Sequence, residues 1–255
     1  MTTGLQLIAV PGIPLVRPGD DLAGLIVAGM KTAGLALQGQ DIVVIAQKIV
    51  SKAEGRFVDL ETVVPSPRAL ALAQEVQKDP RLVELILSES RRVVRSGKDV
   101  LIVEHRLGLV MANAGVDQSN VADPRERQLV LMLPQDPDAS AARLQGELQH
   151  RTGCEIAVVI NDSFGRPWRL GTVGVALGCA GLPALLDLRG DPDLFGRILQ
   201  VTVVAYADEI ASAASLLMGQ ADEAQPVVVV RGLPCHNRRL PASSMIRPPE
   251  QDLFR

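Results

Sequence analysis

Two aspartates carry the chemistry most legible in this chain. Asp117 lies in Asn113-Ala-Gly-Val-Asp-Gln-Ser-Asn120 and Asp162 in Ile160-Asn-Asp-Ser-Phe-Gly-Arg166. Each follows an apolar run that reads as a buried strand, 107–112 before the first and 156–160 before the second. Each run breaks into Gly-containing turn chemistry at the Asp. Carboxylates at the ends of buried strands stand at a rim where an ion or a phosphate can be held. A hard cation such as Mg²⁺ takes oxygen ligands, usually one or two carboxylates plus substrate phosphates. The pair therefore predicts one shared cation site, with ordinary Asx turns as the competing reading.

Basic residues stand near the acids. Ser51-Lys52-Ala-Glu54-Gly-Arg56 follows another buried run. A Lys there could meet a phosphate as a point charge and an Arg could grip one with two bonds; a solvated turn with a weak Lys–Glu pair is the alternative. Arg166 and Arg169 flank Trp168 close to Asp162, where they could bind an anion or only neutralise carboxylates. His105, His150 and His236 show no triad pattern and read as surface or packing residues. Cys154 and Cys179 read as small buried hydrophobes.

These groups must be positioned by alternating strands and helices. A strand over 5–10 ends at Pro11-Gly-Ile-Pro14. A helix follows, capped by Asp20 or Asp21, with Leu22, Leu25, Ile26, Met30 and Ala33 on one face. A buried strand covers 41–45. Ser66-Pro67 and Asp79-Pro80 read as caps with Pro at the first helical position, opening helices near 67–78 and 80–95. A linker rich in Asp and Pro, with Asp123-Pro124 and Leu133-Pro-Gln-Asp-Pro137, leads to a helix at about 138–152 that ends at Gly153. Strands at 201–205 and 227–230 bracket a helix near 208–218 and a loop over 219–225. The glycines at 171, 174, 178 and 181 suit close backbone packing, including packing across a subunit interface, better than phosphate binding. The tail from 234 shows no periodicity.

The pattern predicts an α/β or mixed α+β protein. It excludes a P-loop or Rossmann fold, because neither G-x-x-x-x-G-K-[ST] nor a strand–G-x-G-x-x-G–helix occurs. A composition of 47% hydrophobic and 22% charged residues suits a soluble globular protein, and the length allows one large or two small domains. A net charge of −3 leaves no footprint for nucleic acid or an anionic membrane. Three scattered cysteines without C-x-x-C argue against zinc and disulfides. Lacking a signal-like or membrane-spanning run, the chain is expected in the cytoplasm.

Several segments, in order, resemble the coenzyme F420-0:L-glutamate ligase family. They are Val10-Pro-Gly-Ile-Pro-Leu-Val16, Ser51-Lys-Ala-Glu-Gly-Arg56, Asn113-Ala-Gly-Val-Asp-Gln-Ser-Asn-Val121 and Asn161-Asp-Ser-Phe-Gly-Arg166. Ala207-Asp-Glu-Ile-Ala211, Leu216-Leu-Met-Gly219 and Val228-Val-Val-Arg-Gly-Leu233 complete the set. The resemblance implies a two-part ligase fold of unusual topology over residues 1–233, as one unit or two subdomains, followed by an irregular tail over 234–255. It implies a GTP-dependent amide ligase that adds L-glutamate to the terminal carboxylate of F420-0, or a related deazaflavin precursor, through an acyl phosphate, releasing GDP and phosphate. Mg²⁺ or Mn²⁺, as two ions, and K⁺ are the implied cations, and a homodimer is the implied assembly.

Carried over residue by residue, the implied metal ligands are Asp117, Asp162, Ser163 and Gln220, with Asp117, Asp162 and Lys52 in the catalytic role. The implied nucleotide contacts are Ile13, Pro14, Leu15, Val16, Gln47, Lys48, Lys52 and Asn120, together with Met218, Gly219, Gln220, Ala221, Asp222, Glu223, Ala224 and Gln225. Two departures stand out. Gln220 replaces a Glu, and Gln47-Lys48 stands where some relatives have small hydroxyl residues. A fused C-terminal flavin-binding domain, carried by some members, is expected to be absent. The rival readings are a ligase with another acyl acceptor, a metal-dependent nucleotide phosphohydrolase, and a non-catalytic nucleotide-binding protein.

Overall fold

The computed structural model describes residues 4–121, 128–234, 236 and 238–252. In chain order the first half comprises β1 (Gln6–Ala9), α1 (Leu22–Thr32), β2 (Ile42–Ala46), α2 (Gln47–Ala53), β3 (Phe57–Asp59), α3 (Pro67–Val76), α4 (Pro80–Ser88), β4 (Ser90–Gly97), β5 (Val100–His105), β6 (Val110–Ala112) and β7 (Leu129–Leu131). The second half comprises α5 (Pro137–Thr152), β8 (Ala157–Gly165), β9 (Thr172–Ala180), β10 (Leu186–Asp187), β11 (Val203–Val204), α6 (Tyr206–Met218) and β12 (Val227–Arg231).

Period-two alternation explains the main body. The five-stranded sheet has the order β1-β12-β2-β8-β9. Val43, Ile45, Val158 and Ile160 face a core with Ile26 of α1 and Leu144 and Leu148 of α5. Their neighbours Ile42, Val44, Ala157 and Val159 face the opposite core with Ile210, Ala211 and Ala214 of α6. A sheet covered on both faces needs continuous apolar strands, and that is why these segments lack polar alternation. Only β2 and β8 run parallel, and the other neighbours are antiparallel. The mixed α+β class and the absence of a Rossmann arrangement agree with the sequence reading.

A second region has its own core. There α3 and α4 pack with the antiparallel sheet β4-β5-β6 around Leu60, Ala69, Val83, Ile86, Leu101 and Val103. The caps read from sequence are present: Ser66 accepts from Ala69 N–H, Asp79 from Arg81 N–H, and Gly153 closes α5 with φ 68°.

Three expectations are corrected, and a fourth, close packing at the glycines, is met within the chain. The helix expected over 80–95 stops at Ser88, and residues 90–97 form a strand. Arg91-Arg92-Val93-Val94-Arg95 reads as a continuing polar helix face, but its β-branched pair suits a half-exposed strand. The strand before Asp117 covers only Val110–Ala112, because Arg106-Leu107-Gly108 is a turn returning from β5. The strand expected at 201–205 shrinks to Val203–Val204. The Gly171–Gly181 stretch packs within the chain: a Cβ at Gly174 would strike the backbone of α6 at Ala211, and one at Gly178 the backbone of Pro137. The Asp123-Pro124 part of the expected linker lies outside the described residues. Beyond β12, short 3₁₀ turns at Ala242–Met245 and Pro249–Gln251 alternate with irregular chain. Asp138 pins this segment by accepting from the N–H groups of Ala242 and Ser243.

Candidate active site

Parallel pairing of β2 with β8 sets the site. The register places Ala46 beside Asn161, where β2 ends while β8 runs on against β9, and the next residues, Gln47 and Asp162, are neighbours. The carboxyl ends of adjacent parallel strands are where open α/β sheets hold ligands. Opposite Ile160 and Asn161 the register shifts by one residue, with Leu177 of β9 left over as a bulge. Gln47 begins α2, so Lys48 and Lys52 follow one turn apart on one helix face.

Three further segments close around these ends. Asn113, Ala114 and Gly115 have φ of 53°, 53° and 66° in succession, an arrangement costly for the two non-glycine residues. This twist delivers Asp117, whose backbone is fixed by paired bonds to Leu131 of 2.9 and 2.8 Å. Lys48 Nζ donates to Asp117 Oδ2 at 2.7 Å and to Ser119 Oγ at 2.8 Å. Lys52 Nζ donates to Asn120 O at 2.6 Å, and Asn120 Nδ2 donates to Ala221 O at 3.0 Å. The turn at 117–120 is thereby tied to α2 and to the loop after α6. That loop opens at Gly219 and reaches β8 through Ser163 Oγ, which donates to Gln220 Oε1 at 2.7 Å.

The result is a cavity of about 620 Å³ lined by residues 13–17, 46–49, 52, 120–121, 161–163 and 218–226. Every residue carried over from the family resemblance lies on its wall except Asp117, which is held by the wall residue Lys48. Arg56 is not brought there. It donates to Leu133 O at 2.9 Å, pairs with Glu89 and lines a separate cavity of about 510 Å³. Arg166, Trp168 and Arg169 lie on the exposed tip of the β8–β9 hairpin, with Trp168 90% exposed.

The two aspartates are neutralised unequally. Burial alone would raise Asp117, but hydrogen bonds from Lys48 and Ser119 outweigh it and hold the carboxyl below its ordinary value. Asp162 is half-buried as a residue, yet its carboxyl is desolvated and pushed up to about 6, with the charge of Asp117 adding to the effect. The Ser163 N–H, the charge of Lys48 and the Gln47 amide offset only part of this. Burial, and then the charge of Lys48, lowers Lys52 below the ordinary lysine value.

An under-neutralised carboxyl beside a hydroxyl and an amide oxygen suits a hard divalent cation, for which all three are appropriate donors. Among the described residues no group of three His, Cys, Asp or Glu gathers to hold a metal. Any ion here would therefore rely on Ser163, Gln220 and ligand oxygens besides the aspartates.

Sequence reasoning missed Asn161 and Ser119. Asn161, 5% exposed, donates from Nδ2 to Ser215 Oγ at 2.9 Å and to Met218 Sδ at 3.3 Å, tying the rim of β8 to the last turn of α6. Its signal was a polar residue ending an apolar strand. Ser119 caps the Asp117 turn by donating to Oδ1 from both N (2.7 Å) and Oγ (2.8 Å).

Comparison with known proteins gives this geometry a lineage. The family model described as F420-0:Gamma-glutamyl ligase matches residues 12–232. A protein of Methanothermobacter thermautotrophicus named coenzyme F420:L-glutamate ligase is 50% identical over 99% of both chains. Proteins of the same name from Methanopyrus kandleri and Methanocaldococcus jannaschii are 48% and 44% identical, covering 99% of both chains and 95% and 94% of the two chains respectively. The segments matched at that identity include all those that build the cavity. The chain belongs to the F420-0:gamma-glutamyl ligase family.

Proposed function

We propose that this protein joins the amine of L-glutamate to the terminal carboxylate of F420-0, consuming GTP. The observation that carries the reading is the convergence of residues 13–17, 46–49, 52, 120–121, 161–163 and 218–226 on one cavity, with Asp117 tied to its wall by Lys48, where two lysines and several oxygen donors meet. The family match and the names of the relatives supply the substrates.

In the first step a carboxylate oxygen of F420-0 attacks the γ-phosphorus of GTP, the β–γ bridge bond breaks, and GDP leaves. In the second, the neutral amine of glutamate attacks the acyl carbon, phosphate leaves with the bonding pair, and the amine proton is lost to solvent. Attack of one anion on another is opposed by charge, so catalysis is mostly positioning and electrostatics. Lys52 and Lys48 offset the phosphate charge, while residues 13–16 and 218–225 enclose the nucleotide. Asp162, Asp117, Ser163 and Gln220 would hold Mg²⁺ or Mn²⁺, which when bound screens the phosphate oxygens. K⁺ is a further cation for the site, and the cytoplasm is the expected location; among the described residues no helix is long and apolar enough to cross a membrane.

Assembly as a homodimer is part of the reading. The segment between β10 and β11 exposes Leu194 and Phe195 almost fully, and the β8–β9 tip exposes Trp168 and Leu170. Paired exposed apolar residues on two hairpins suit burial against a second copy. Light scattering at micromolar concentration should give a dimer, and a monomer would refute this part.

The defining experiment incubates the protein with F420-0, L-glutamate, Mn²⁺ and GTP or ATP, with mass spectrometry of the deazaflavin. The expected product is F420-0 extended by glutamate with one GDP per amide bond, and kcat/KM is expected to favour GTP clearly. Equal kcat/KM for ATP would overturn the guanine preference. GTP consumption unchanged by omitting glutamate and F420-0 would favour the phosphohydrolase.

A further inference from the structure

We propose that Lys48 is a built-in cation that occupies Asp117 and yields it to a divalent ion only when a polyphosphate draws the ammonium away. This rests on the proposed reading of the cavity as a site for a nucleotide and a metal ion. The oxygens around Lys48 Nζ are a carboxylate (Asp117 Oδ2, 2.7 Å), a hydroxyl (Ser119 Oγ, 2.8 Å) and a carbonyl (Ser119 O, 3.2 Å). That is the donor set a hard divalent cation takes, and an ammonium and a divalent ion cannot share it. Asp117 Oδ1 is already engaged by the N–H and Oγ–H of Ser119, so the carboxylate has no second face to offer without rearrangement.

Asp162 differs, because its hydrogen bonds come from neutral donors. A first divalent ion therefore goes to Asp162, Ser163 and Gln220, and Asp117 joins only after Lys48 departs. Departure has a route. Lys48 lines the cavity, its side chain is 29% exposed, and its four-carbon stem can turn the ammonium from Asp117 toward phosphate oxygens in the same space. Nucleotide and the Asp117-bound ion then favour each other, and the coupling is reciprocal. Free protein would thus avoid holding two divalent ions before the phosphates that need them arrive.

Mn²⁺ binding to the full chain without nucleotide, followed by the loss of the free-ion electron paramagnetic resonance signal, tests this. Lys48→Met should create a second Mn²⁺ site or tighten binding by about tenfold, a typical coupling, and Asp117→Asn added to it should remove the gain. Unchanged or weaker binding in a folded Lys48→Met protein would overturn the inference. Should that variant not fold, Asp117→Asn alone decides: nucleotide-free Mn²⁺ affinity should stay within about twofold of wild type, well inside the coupling expected, and a larger loss overturns the proposal. Mn²⁺ binding that survives Asp162→Asn would instead overturn the placing of the ion in this cavity, and the Lys48 inference with it.

Discussion

Two acidic clusters in this protein are built from similar parts and reach opposite electrostatic ends. Around Glu89, Arg106 Nε donates at 2.8 Å, His105 Nε2 stands at 3.3 Å and Arg56 Nη2 at 3.4 Å. Leu107 N–H donates to His105 Nδ1, which leaves the Nε2 proton facing the carboxylate. Burial would raise Glu89, but these donors outweigh it and hold the carboxyl down at about 2. At the cavity, Asp162 is desolvated, its hydrogen bonds come from neutral donors, the charge of Lys48 offsets only part of the burial, and the carboxyl rises to about 6. A carboxylate that the chain has satisfied is part of the framework. One that the chain has desolvated and left short of positive charge is prepared for a cation from outside.

The comparison breaks most visibly in catalysis. Asp162→Ala should lower kcat by about 10³-fold or more, roughly 4 kcal/mol of transition-state stabilisation, with the circular dichroism spectrum unchanged. A variant that keeps more than about a tenth of the rate puts less than about 1.4 kcal/mol at stake and removes Asp162 from the site.

Stability should separate the clusters by sign. The folded value of Asp162 lies above its unfolded 3.8, so its contribution is most favourable below 3.8 and is lost as pH rises through about 6. In metal-free protein above pH 6, Asp162→Asn should therefore stabilise by up to about 3 kcal/mol, an advantage that vanishes in acid and reverses with saturating Mn²⁺. Glu89 is the opposite case. Its folded value near 2 lies below the unfolded 4.5, so its stabilisation is complete above 4.5 and is lost as pH falls toward 2. Glu89→Gln should cost about 2 kcal/mol at neutral pH while Mn²⁺ affinity stays the same. Thermal melts of both variants between pH 3 and 8 check these signs; equal shifts in one direction would erase the distinction.

The smallest effect sharpens the composition of the cavity. Gln220→Glu places a carboxylate where an amide oxygen now accepts from Ser163. Apparent Mn²⁺ affinity should tighten by up to about tenfold, near 1.4 kcal/mol. Turnover should change less, since in the proposed reaction added negative charge also opposes the attacking carboxylate. Metal titration of the initial rate that superimposes on wild type would place residue 220 outside the coordination shell.

Legibility in the sequence followed the range of the interaction. The strands carrying Val43–Ile45 and Val158–Ile160, and the caps at Ser66 and Asp79, are local patterns, and they appear in the structure where the sequence put them. Asp117 and Asp162 were visible because each ends an apolar run. Their unequal neutralisation was not, since it depends on Lys48 reaching Asp117 and Gln47 reaching Asp162 through the tertiary fold. The edge of the second region was misread for a related reason: Arg91–Arg95 suits a polar helix face until β5 pairs with it. The close packing read from Gly174 and Gly178 was real, but only the fold shows that the facing backbones belong to α6 and α5 of the same chain.

Oxygen transfer during turnover reports most directly whether the F420-0 carboxylate is phosphorylated at this cavity. F420-0 with ¹⁸O in its terminal carboxylate is incubated with GTP, Mn²⁺ and L-glutamate, and the inorganic phosphate is analysed by mass spectrometry. Acyl phosphate chemistry at this cavity moves one labelled oxygen into phosphate for each amide formed, and Asp162→Ala should yield neither. Amide formation that leaves the phosphate unlabelled would contradict the account.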